Sequence, residues 1–200
     1  MSNGCKVILL PEAWVKRVSD FVVSGRMAEE GEPAGDRPEV LFSRSDPIVV
    51  QGNYSDYNIR SRHFRCLETF FIEVDEAGEI QSVVGLEGLL PGKRTVMVNL
   101  VIARPREGVD KATRMRELLE EVLRRAGEFV EISKLRITYL YDHNFSAPIQ
   151  AQVWSTIIEA PERLGFIEEA RIPNETGPGR DAVLLTMRAA EPPAESPVTA

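Results

Sequence analysis

The chain has 200 residues, of which 43% are hydrophobic and 28% are charged, and it carries a formal net charge of -7 at pH 7. This composition is typical of a folded globular chain and excludes wholesale disorder. The length fits one domain, which we place at residues 1–190. The acidic balance disfavours nucleic-acid binding, because phosphodiester backbones are also anionic.

The cysteines and the apolar runs bear on the cellular compartment. Cys5 and Cys66 form no CxxC unit, so they predict neither a disulfide framework nor a zinc site. No run reaches the roughly 18 apolar residues that a membrane span needs. The apolar stretch before Pro11 is too short for a secretory signal. The sequence therefore predicts a cytoplasmic protein with no metal and no membrane partner.

The first predicted element is a helix that begins after Pro11, a residue that suits a first helical turn. Its apolar face is formed by five residues at helical spacing: Trp14, Val15, Val18, Phe21 and Val22. Residues 25–39 are rich in Gly, Pro, Glu and Asp, which predicts a mobile surface loop. Residues 40–66 show no clear element apart from a short strand at Pro47–Gln51, followed by the turn-prone stretch GNYSDYN.

The middle of the chain predicts a sheet with one helical crossover. Thr69–Val74 and Glu79–Leu89 are β-rich runs joined by the turn-like DEAG, so they predict an antiparallel hairpin. Thr95–Ala103 predicts a third strand, and Lys111–Phe129 predicts an amphipathic helix with Leu, Val, Met and Ala on one face. Leu135–Tyr141 predicts the strand that follows. A strand, a helix and a strand in this order imply a parallel pair between the third and fourth strands.

The last quarter predicts a helix over residues 148–160, which Pro161 ends or kinks. Strands are predicted at Phe166–Ile172 and Ala182–Arg188. Residues 191–200 are polar and rich in proline, which predicts a disordered tail.

This order of elements resembles the GNAT superfamily of N-acetyltransferases over Thr69–Arg188. Three segments carry the resemblance: LVIARPREG with LLEEVLRRA, then NFSAPIQ with ERLGF, and finally GRDAVLLTM. The resemblance implies an α/β (α+β) fold in which helices flank a mixed, mostly antiparallel sheet with a parallel pair at its central strands. It also implies acetyl-CoA or another acyl-CoA as cosubstrate, and a small-molecule or protein amine as acceptor.

The family binds the donor's diphosphate with a Q/R-x-x-G-x-G/A loop, whose glycines and helix-start amides approach the anion closely. An ungapped match places Glu107, Asp110 and Ala112 at the signature positions, and only Ala112 conforms. A shifted alignment puts Arg106 first, with Gly108 in the turn. The resemblance implies these donor-binding residues: Val101, Ile102, Ala103, Arg106, Gly108, Val109, Lys111, Ala112 and Asn144.

Two interpretations of this loop stay open. Asp110 either repels the diphosphate, by roughly 1 kcal/mol at about 4 Å even in water, or caps the helix that follows. The nearby cations either bind phosphate through their side chains or form a solvated helix face. These cations are Arg104, Arg106, Lys111, Arg114 and Arg116.

The proton-transfer residues are also ambiguous. Many family members have a tyrosine that protonates the leaving thiolate, and its place here is taken by Pro161, which has no donor. Tyr141 and His143 follow the fourth strand and are candidates, since imidazole titrates in the useful range. Alternatively, Tyr139 and Tyr141 pack on one sheet face while His143 lies in a polar turn.

Carboxylates in the predicted hairpin are the remaining candidates. Glu87 and Glu73 would act as general bases for an amine if the strand alternation points them into the active-site cleft. The alternative for each is an exposed, solvated side chain.

Two functional hypotheses follow from these residues. The first is an acyl-CoA-dependent N-acyltransferase in which an amine attacks the thioester directly. The second is a catalytically eroded GNAT-fold protein that serves as a binding or assembly module with protein partners. Metalloprotease, P-loop NTPase and serine-hydrolase motifs are absent from the sequence.

Overall fold

The computed structural model of the protein describes residues 5–25, 35–44, 54–65, 67–143, 161–175 and 177–189. These residues form eight strands and three α-helices, with 3-10 turns at Glu12–Trp14 and Pro161–Leu164. The strands are β1 (Lys6–Leu9), β2 (Glu39–Ser43), β3 (Glu68–Val74), β4 (Ile80–Glu87), β5 (Thr95–Ala103), β6 (Lys134–Asp142), β7 (Ile167–Ile172) and β8 (Arg180–Arg188). The helices are α1 (Val15–Ser24), α2 (Asp56–Phe64) and α3 (Lys111–Ala126).

All eight strands belong to one sheet. Its main order is β1-β3-β4-β5-β6-β8-β7, and β2 pairs with β5 beside this path. The pair β5 and β6 is parallel, and the other pairs are antiparallel. The predicted mixed sheet with one central parallel pair is therefore confirmed. Helix α3 provides the crossover that a parallel pair requires.

The predicted hairpin is confirmed as β3 and β4. Its ladder of paired residues begins at Glu68 opposite Glu87 and ends at Val74 opposite Ile80. Its turn is held by Asp75, whose Oδ1 accepts the Glu79 amide at 2.8 Å. Gly78 takes a φ of 78°, a left-handed conformation that glycine adopts without a Cβ penalty.

Each face of the sheet has its own apolar core. Helix α3 covers one face with its predicted apolar stripe, in which Met115, Leu119 and Val122 are fully or almost fully buried. Helices α1 and α2 cover the opposite face, where Val15, Val18 and Ile59 are buried. The predicted faces of α1 and α3 are confirmed.

Three elements had no counterpart in the sequence interpretation: β1, β2 and α2. The stretch predicted as a turn contains the start of α2, where Ser55 is the N-cap and its Oγ accepts the Asn58 amide at 3.4 Å. Helix α2 has a weak apolar period, because its sequence DYNIRSRHF is largely polar. Strands β1 and β2 are short, and their partners β3 and β5 are distant in sequence, so local patterns do not reveal them.

Several predicted segments lie outside the described residues: most of the loop (26–34), the strand at 47–51, the helix at 148–160 and the tail. Glu39, assigned to the loop from sequence, is instead the first residue of β2. In the described part of the chain, no helix has the length and apolarity of a membrane span.

Candidate functional site

The parallel strands β5 and β6 separate soon after they pair. Within the described residues their ladder joins Thr95–Met97 to Lys134–Arg136, and both strands then continue for several residues. Strand β6 stays paired with β8 on its other side as far as Asp142. The two strands therefore form a V-shaped opening, which is called the opening below.

A β-bulge lies at the apex of this opening. Gly85 and Leu86 of β4 pair with Leu100 and Val98 of β5, so Asn99 is the extra residue of β5. A bulge bends its strand and redirects side chains, and bulges are frequent beside active sites. An asparagine inside the apolar run TVMVNLVIA is the sequence signal that could have located it.

Strand β2 occupies the edge of β5 that β6 has left. Beyond the β6 ladder, this edge pairs antiparallel with β2 through Leu100–Ala103, and the Arg44 amide donates to the Asn99 carbonyl at 2.8 Å. Val101, Ile102 and Ala103 are the residues of this edge that the family resemblance implies for donor binding. Their backbone edge is instead bonded to the protein's own strand.

The turn after β5 has the conformation that the sequence suggests. Gly108 takes a φ of 72°, and the Val109 amide donates to the Arg106 carbonyl at 3.1 Å. A residue with a Cβ is strained at such a φ. Gly108 therefore reverses the chain between β5 and α3.

Asp110 is the N-cap of α3. Its Oδ1 accepts the amides of Ala112 and Thr113 at 3.0 and 3.1 Å, and its Oδ2 accepts the Thr113 hydroxyl at 2.8 Å. The Thr113 hydroxyl is the largest cause that lowers the pKa of Asp110, followed by the Thr113 amide, with a smaller contribution from nearby Arg163. Of the two interpretations of Asp110, the helix cap is confirmed. The helix-start amides that would receive a phosphate are engaged by a carboxylate.

We expect Asp110→Ala to lower the free energy of unfolding by about 1 kcal/mol, since loss of an N-cap side chain typically costs that amount. Asp110→Asn is the matched control, because asparagine caps about as well as aspartate. Urea denaturation measures both variants. Equal stability of the alanine variant and the parent would contradict the capping role.

The loop cations have internal partners. Arg106 bonds Glu117 at 2.9 Å and Glu73 at 3.2 Å. Lys111 forms an ion pair with the buried Glu39 at 3.3 Å. Arg106 is therefore not part of a solvated face, whereas Lys111 is half exposed and Arg116 pairs with Glu120 on the exposed surface of the helix.

Arg104 differs from the other loop cations in its partners. Its guanidinium donates to the backbone carbonyls of Ile80, at 3.2 Å, and of Asp36. It also lies over the ring of Phe21, 5.6 Å from the centroid. None of these contacts neutralises its charge with a carboxylate, so Arg104 contributes a positive potential to the mouth of the opening. A cavity of about 290 Å³ lies at this mouth and is lined by β2, the loop and the start of α3.

Glu73 is not the exposed carboxylate that the sequence allowed. Its side chain is 7% exposed and forms a buried ion pair with Arg114 of α3, whose side chain is 6% exposed. Glu73 therefore points to the α3 face of the sheet, beside a cavity of about 480 Å³. The ion pair of Glu73 with Arg114 connects β3 to α3. The other candidate base, Glu87, lies on the opposite face of the sheet.

Glu87 lies beside the bulge with two partners. Arg44 donates to its Oε2 at 2.7 Å, and Asn99 Nδ2 donates to the same oxygen at 3.3 Å. The Glu87 side chain is 47% exposed. A carboxylate held by donors at the apex of the opening is available to solvent and to a substrate.

A second carboxylate, Glu68, is the direct cross-strand partner of Glu87 and lies on the same face. It is 2% exposed, and burial raises its pKa although the neighbouring Arg62, at 3.1 Å, opposes this effect. The buried Tyr54 hydroxyl donates to it at 3.3 Å. A side chain at Gly85 would collide with the Glu68 carboxylate, so the glycine makes room for it. The sequence analysis did not select Glu68.

The other proton-transfer candidates lie at the end of β6. Tyr139 is buried in the core, and Tyr141 packs against it, which confirms their shared face. His143 Nε2 lies 2.9 Å from Asp181 Oδ2, and this contact is the largest cause that lowers the pKa of Asp181. The His143 ring packs edge-on against Tyr141, 4.9 Å between centroids. Asn144 lies outside the described residues.

No protein-family model matches this sequence, and no curated protein matches it in sequence. Solved structures do match it in fold. A crystal structure of a protein assigned as a phosphinothricin N-acetyltransferase is 17% identical, has a TM-score of 0.52, and is matched over 94% of this chain and 99% of its own.

A spermidine N-acetyltransferase from Vibrio cholerae, in complex with CoA and spermine, is 14% identical with a TM-score of 0.54, over 94% of this chain and 96% of its own. The same enzyme in a dodecameric structure is 14% identical with a TM-score of 0.53. At these identities the likeness concerns the fold, which is the GNAT fold that the sequence resemblance implies.

Proposed function

Since this chain has the fold of the GNAT N-acetyltransferases, we propose that it is an acyl-CoA-dependent N-acyltransferase that acylates an amine. The observation that carries the proposal is the bulge at Asn99, with Glu87 beside it, at the apex of the β5 and β6 opening. Transfer of an acyl group to a protonated amine needs a general base close to the place where the thioester carbonyl enters, and a carboxylate can act as that base. This apex combines such a carboxylate with an opening between two strands.

Glu87 is the group that we assign to the amine. An alkylamine is protonated near neutral pH, so it must lose a proton before its nitrogen attacks. The Glu87 carboxylate binds the ammonium and accepts that proton. The nitrogen then forms a bond to the acyl carbon while the carbon–sulfur bond breaks and the thiolate leaves, and the nitrogen releases its second proton to water to give the amide. Asn99 of β5 holds the carboxylate in position through the hydrogen bond described above.

The net charge of the chain bears on the class of acceptor. At -7, it favours a cationic amine over an anionic one. Glu87 and Glu68 add little to this preference, because they form ion pairs with Arg44 and Arg62. The acceptor face is the side of the sheet on which α1 and α2 lie.

Tyr141 and His143 are the candidate acids that would protonate the leaving thiolate.

The cations at the mouth of the opening suit a phosphate-bearing donor. The backbone hydrogen bonds at this mouth, however, are already made within the protein. The backbone amides of Ala112 and Thr113 donate to the Asp110 carboxylate, and the backbone of Val101–Ala103 pairs with β2. Donor binding by Lys111 and along Val101–Ala103 therefore requires a rearrangement of β2, whereas binding at the Ala112 amide requires Asp110 to move. We take no reaction step through these residues.

The same contacts favour a second candidate function, a GNAT-fold binding or assembly protein without transferase activity. The capped helix and the filled β5 edge are permanent features under this alternative. Pro161 in place of the family tyrosine agrees with it.

Calorimetric titration and thermal unfolding with acetyl-CoA and CoA separate the two functions. We expect saturable binding and a rise in stability, about 2.7 kcal/mol when the ligand is at 100 times its Kd. ATP is the control for nonspecific nucleotide binding. Release of the thiol in the presence of a panel of diamines and polyamines then tests transfer. No binding at millimolar acetyl-CoA would reject the acyltransferase proposal and favour the second candidate.

A further inference from the structure

We infer that β2 is a self-inserted strand that takes the place of the acyl donor on β5 and leaves it when an anionic donor binds. The inference rests on the proposed function for the identity of the donor, but the opening of β2 can be tested without it. Its basis is the position of β2 and the contact that holds the strand at the mouth of the opening.

The position of β2 makes it a competitor for any extended ligand on β5. A strand has two hydrogen-bonding edges, and β4 occupies one edge of β5 over most of its length. The other edge pairs with β6 at Thr95–Met97 and with β2 at Leu100–Ala103. A donor that forms backbone hydrogen bonds in the opening must therefore replace β2.

The pairing of β2 is limited in extent. The strand has five residues and a register shift between Val40 and Phe42, and in the described part of the chain it pairs with β5 alone. Its main anchor is Phe42, which is fully buried in the core that α3 covers. Opening therefore exposes Phe42 together with the partly buried Val40 and Leu41, which pack against the two cores, and leaves the other strand pairs of the sheet intact.

Two contacts hold the start of β2 to cations at the mouth of the opening, where the phosphates of a donor would bind. Glu39 is buried and pairs with Lys111, the first residue of α3, at 3.3 Å. Arg104 donates to the carbonyl of Asp36, just before β2. An arriving phosphate competes with Glu39 for Lys111 and with the carbonyl for Arg104, because phosphate binds such cations strongly. Donor binding and release of β2 are thereby coupled.

A reversible crosslink tests the inference. Val40 and Ile102 are direct partners, so Val40→Cys with Ile102→Cys, in a chain that also has Cys5→Ser and Cys66→Ser, joins β2 to β5 upon oxidation. We expect the oxidised protein to bind acetyl-CoA at least about tenfold more weakly than the same variant in its reduced form. The control joins Ile72→Cys of β3 to Val83→Cys of β4, where oxidation should not change binding. Equal binding by the oxidised and reduced β2 crosslink would overturn the inference.

Hydrogen exchange of the parent protein tests whether β2 opens, even if acetyl-CoA does not bind. We expect the β2 amides to exchange roughly tenfold faster than those of β3 and β4, through local opening. Inorganic pyrophosphate should accelerate this exchange beyond sodium chloride of equal ionic strength, and Glu39→Gln should accelerate it without added anion. Exchange of β2 as slow as that of β3, unaffected by pyrophosphate, makes β2 a fixed member of the sheet and overturns the inference. Release of β2 by pyrophosphate without acetyl-CoA binding supports the inference and rejects the acyltransferase proposal.

Discussion

Replacing Arg114 by alanine should lower the free energy of unfolding by about 3–5 kcal/mol, the cost of removing one partner of a buried ion pair. The Arg114 and Glu73 side chains are 6% and 7% exposed, and both guanidinium NH2 groups donate to the carboxylate. Without Arg114, the ion-pair partner that Glu73 keeps among the described residues is Arg106, at 3.2 Å. Urea denaturation of parent and variant measures the difference.

The control for this prediction is Arg116→Ala on the same helix. Arg116 pairs with Glu120 at 2.8 Å, but both side chains are about half exposed, so its loss should cost only about 0.3–0.5 kcal/mol. Glu73→Met combined with Arg114→Met should recover much of the lost stability, because an apolar pair leaves no uncompensated charge. Similar losses for Arg114→Ala and Arg116→Ala would show that burial does not set the cost.

Glu87→Gln should reduce kcat for amine acylation by about 10²–10⁴-fold, the usual range for loss of a general base. Glutamine keeps the size of the side chain and still accepts a hydrogen bond from Asn99 or Arg44, so the fold should be retained. It cannot take a proton from the ammonium. Steady-state rates of thiol release over a range of pH measure the effect, and unfolding by urea checks that stability is unchanged.

The matched control is Glu79→Gln, at the other end of β4. Glu79 is exposed and its ion pair with Arg17, at 3.7 Å, lies away from the bulge. Its substitution should leave kcat unaltered. A Glu87→Gln enzyme with the parental kcat would remove Glu87 from the mechanism and direct attention to His143.

Local sequence patterns were sufficient for much of the scaffold. The apolar stripe of α3 and the β-rich runs around DEAG predicted a helix and a hairpin, and both are present. The parallel pairing of β5 and β6 followed from the order strand, helix, strand. Each of these features depends on residues close in sequence or on a connection rule, so a single sequence contains the information.

Asp110 shows where local patterns stop being decisive. An aspartate before an amphipathic helix is compatible with an N-cap and also with repulsion of the donor diphosphate, and the sequence alone does not distinguish these two roles. The geometry decides for the cap, because the Asp110 carboxylate meets the amides of Ala112 and Thr113. The same limit applies to Glu73, since only the position of Arg114 reveals that this carboxylate is buried.

By itself the sequence determined the order of the main strands and helices, the parallel pairing of β5 and β6, and the resemblance to the GNAT fold. Only the tertiary structure decided that β2 fills the edge of β5, that Glu68 lies across from Glu87, and that Arg106 and Lys111 are engaged by carboxylates. The physical reason is distance along the chain. Periodicity and capping are set by neighbouring residues, whereas these contacts join segments far apart in sequence, and their energies depend on burial that exists only after the chain has folded.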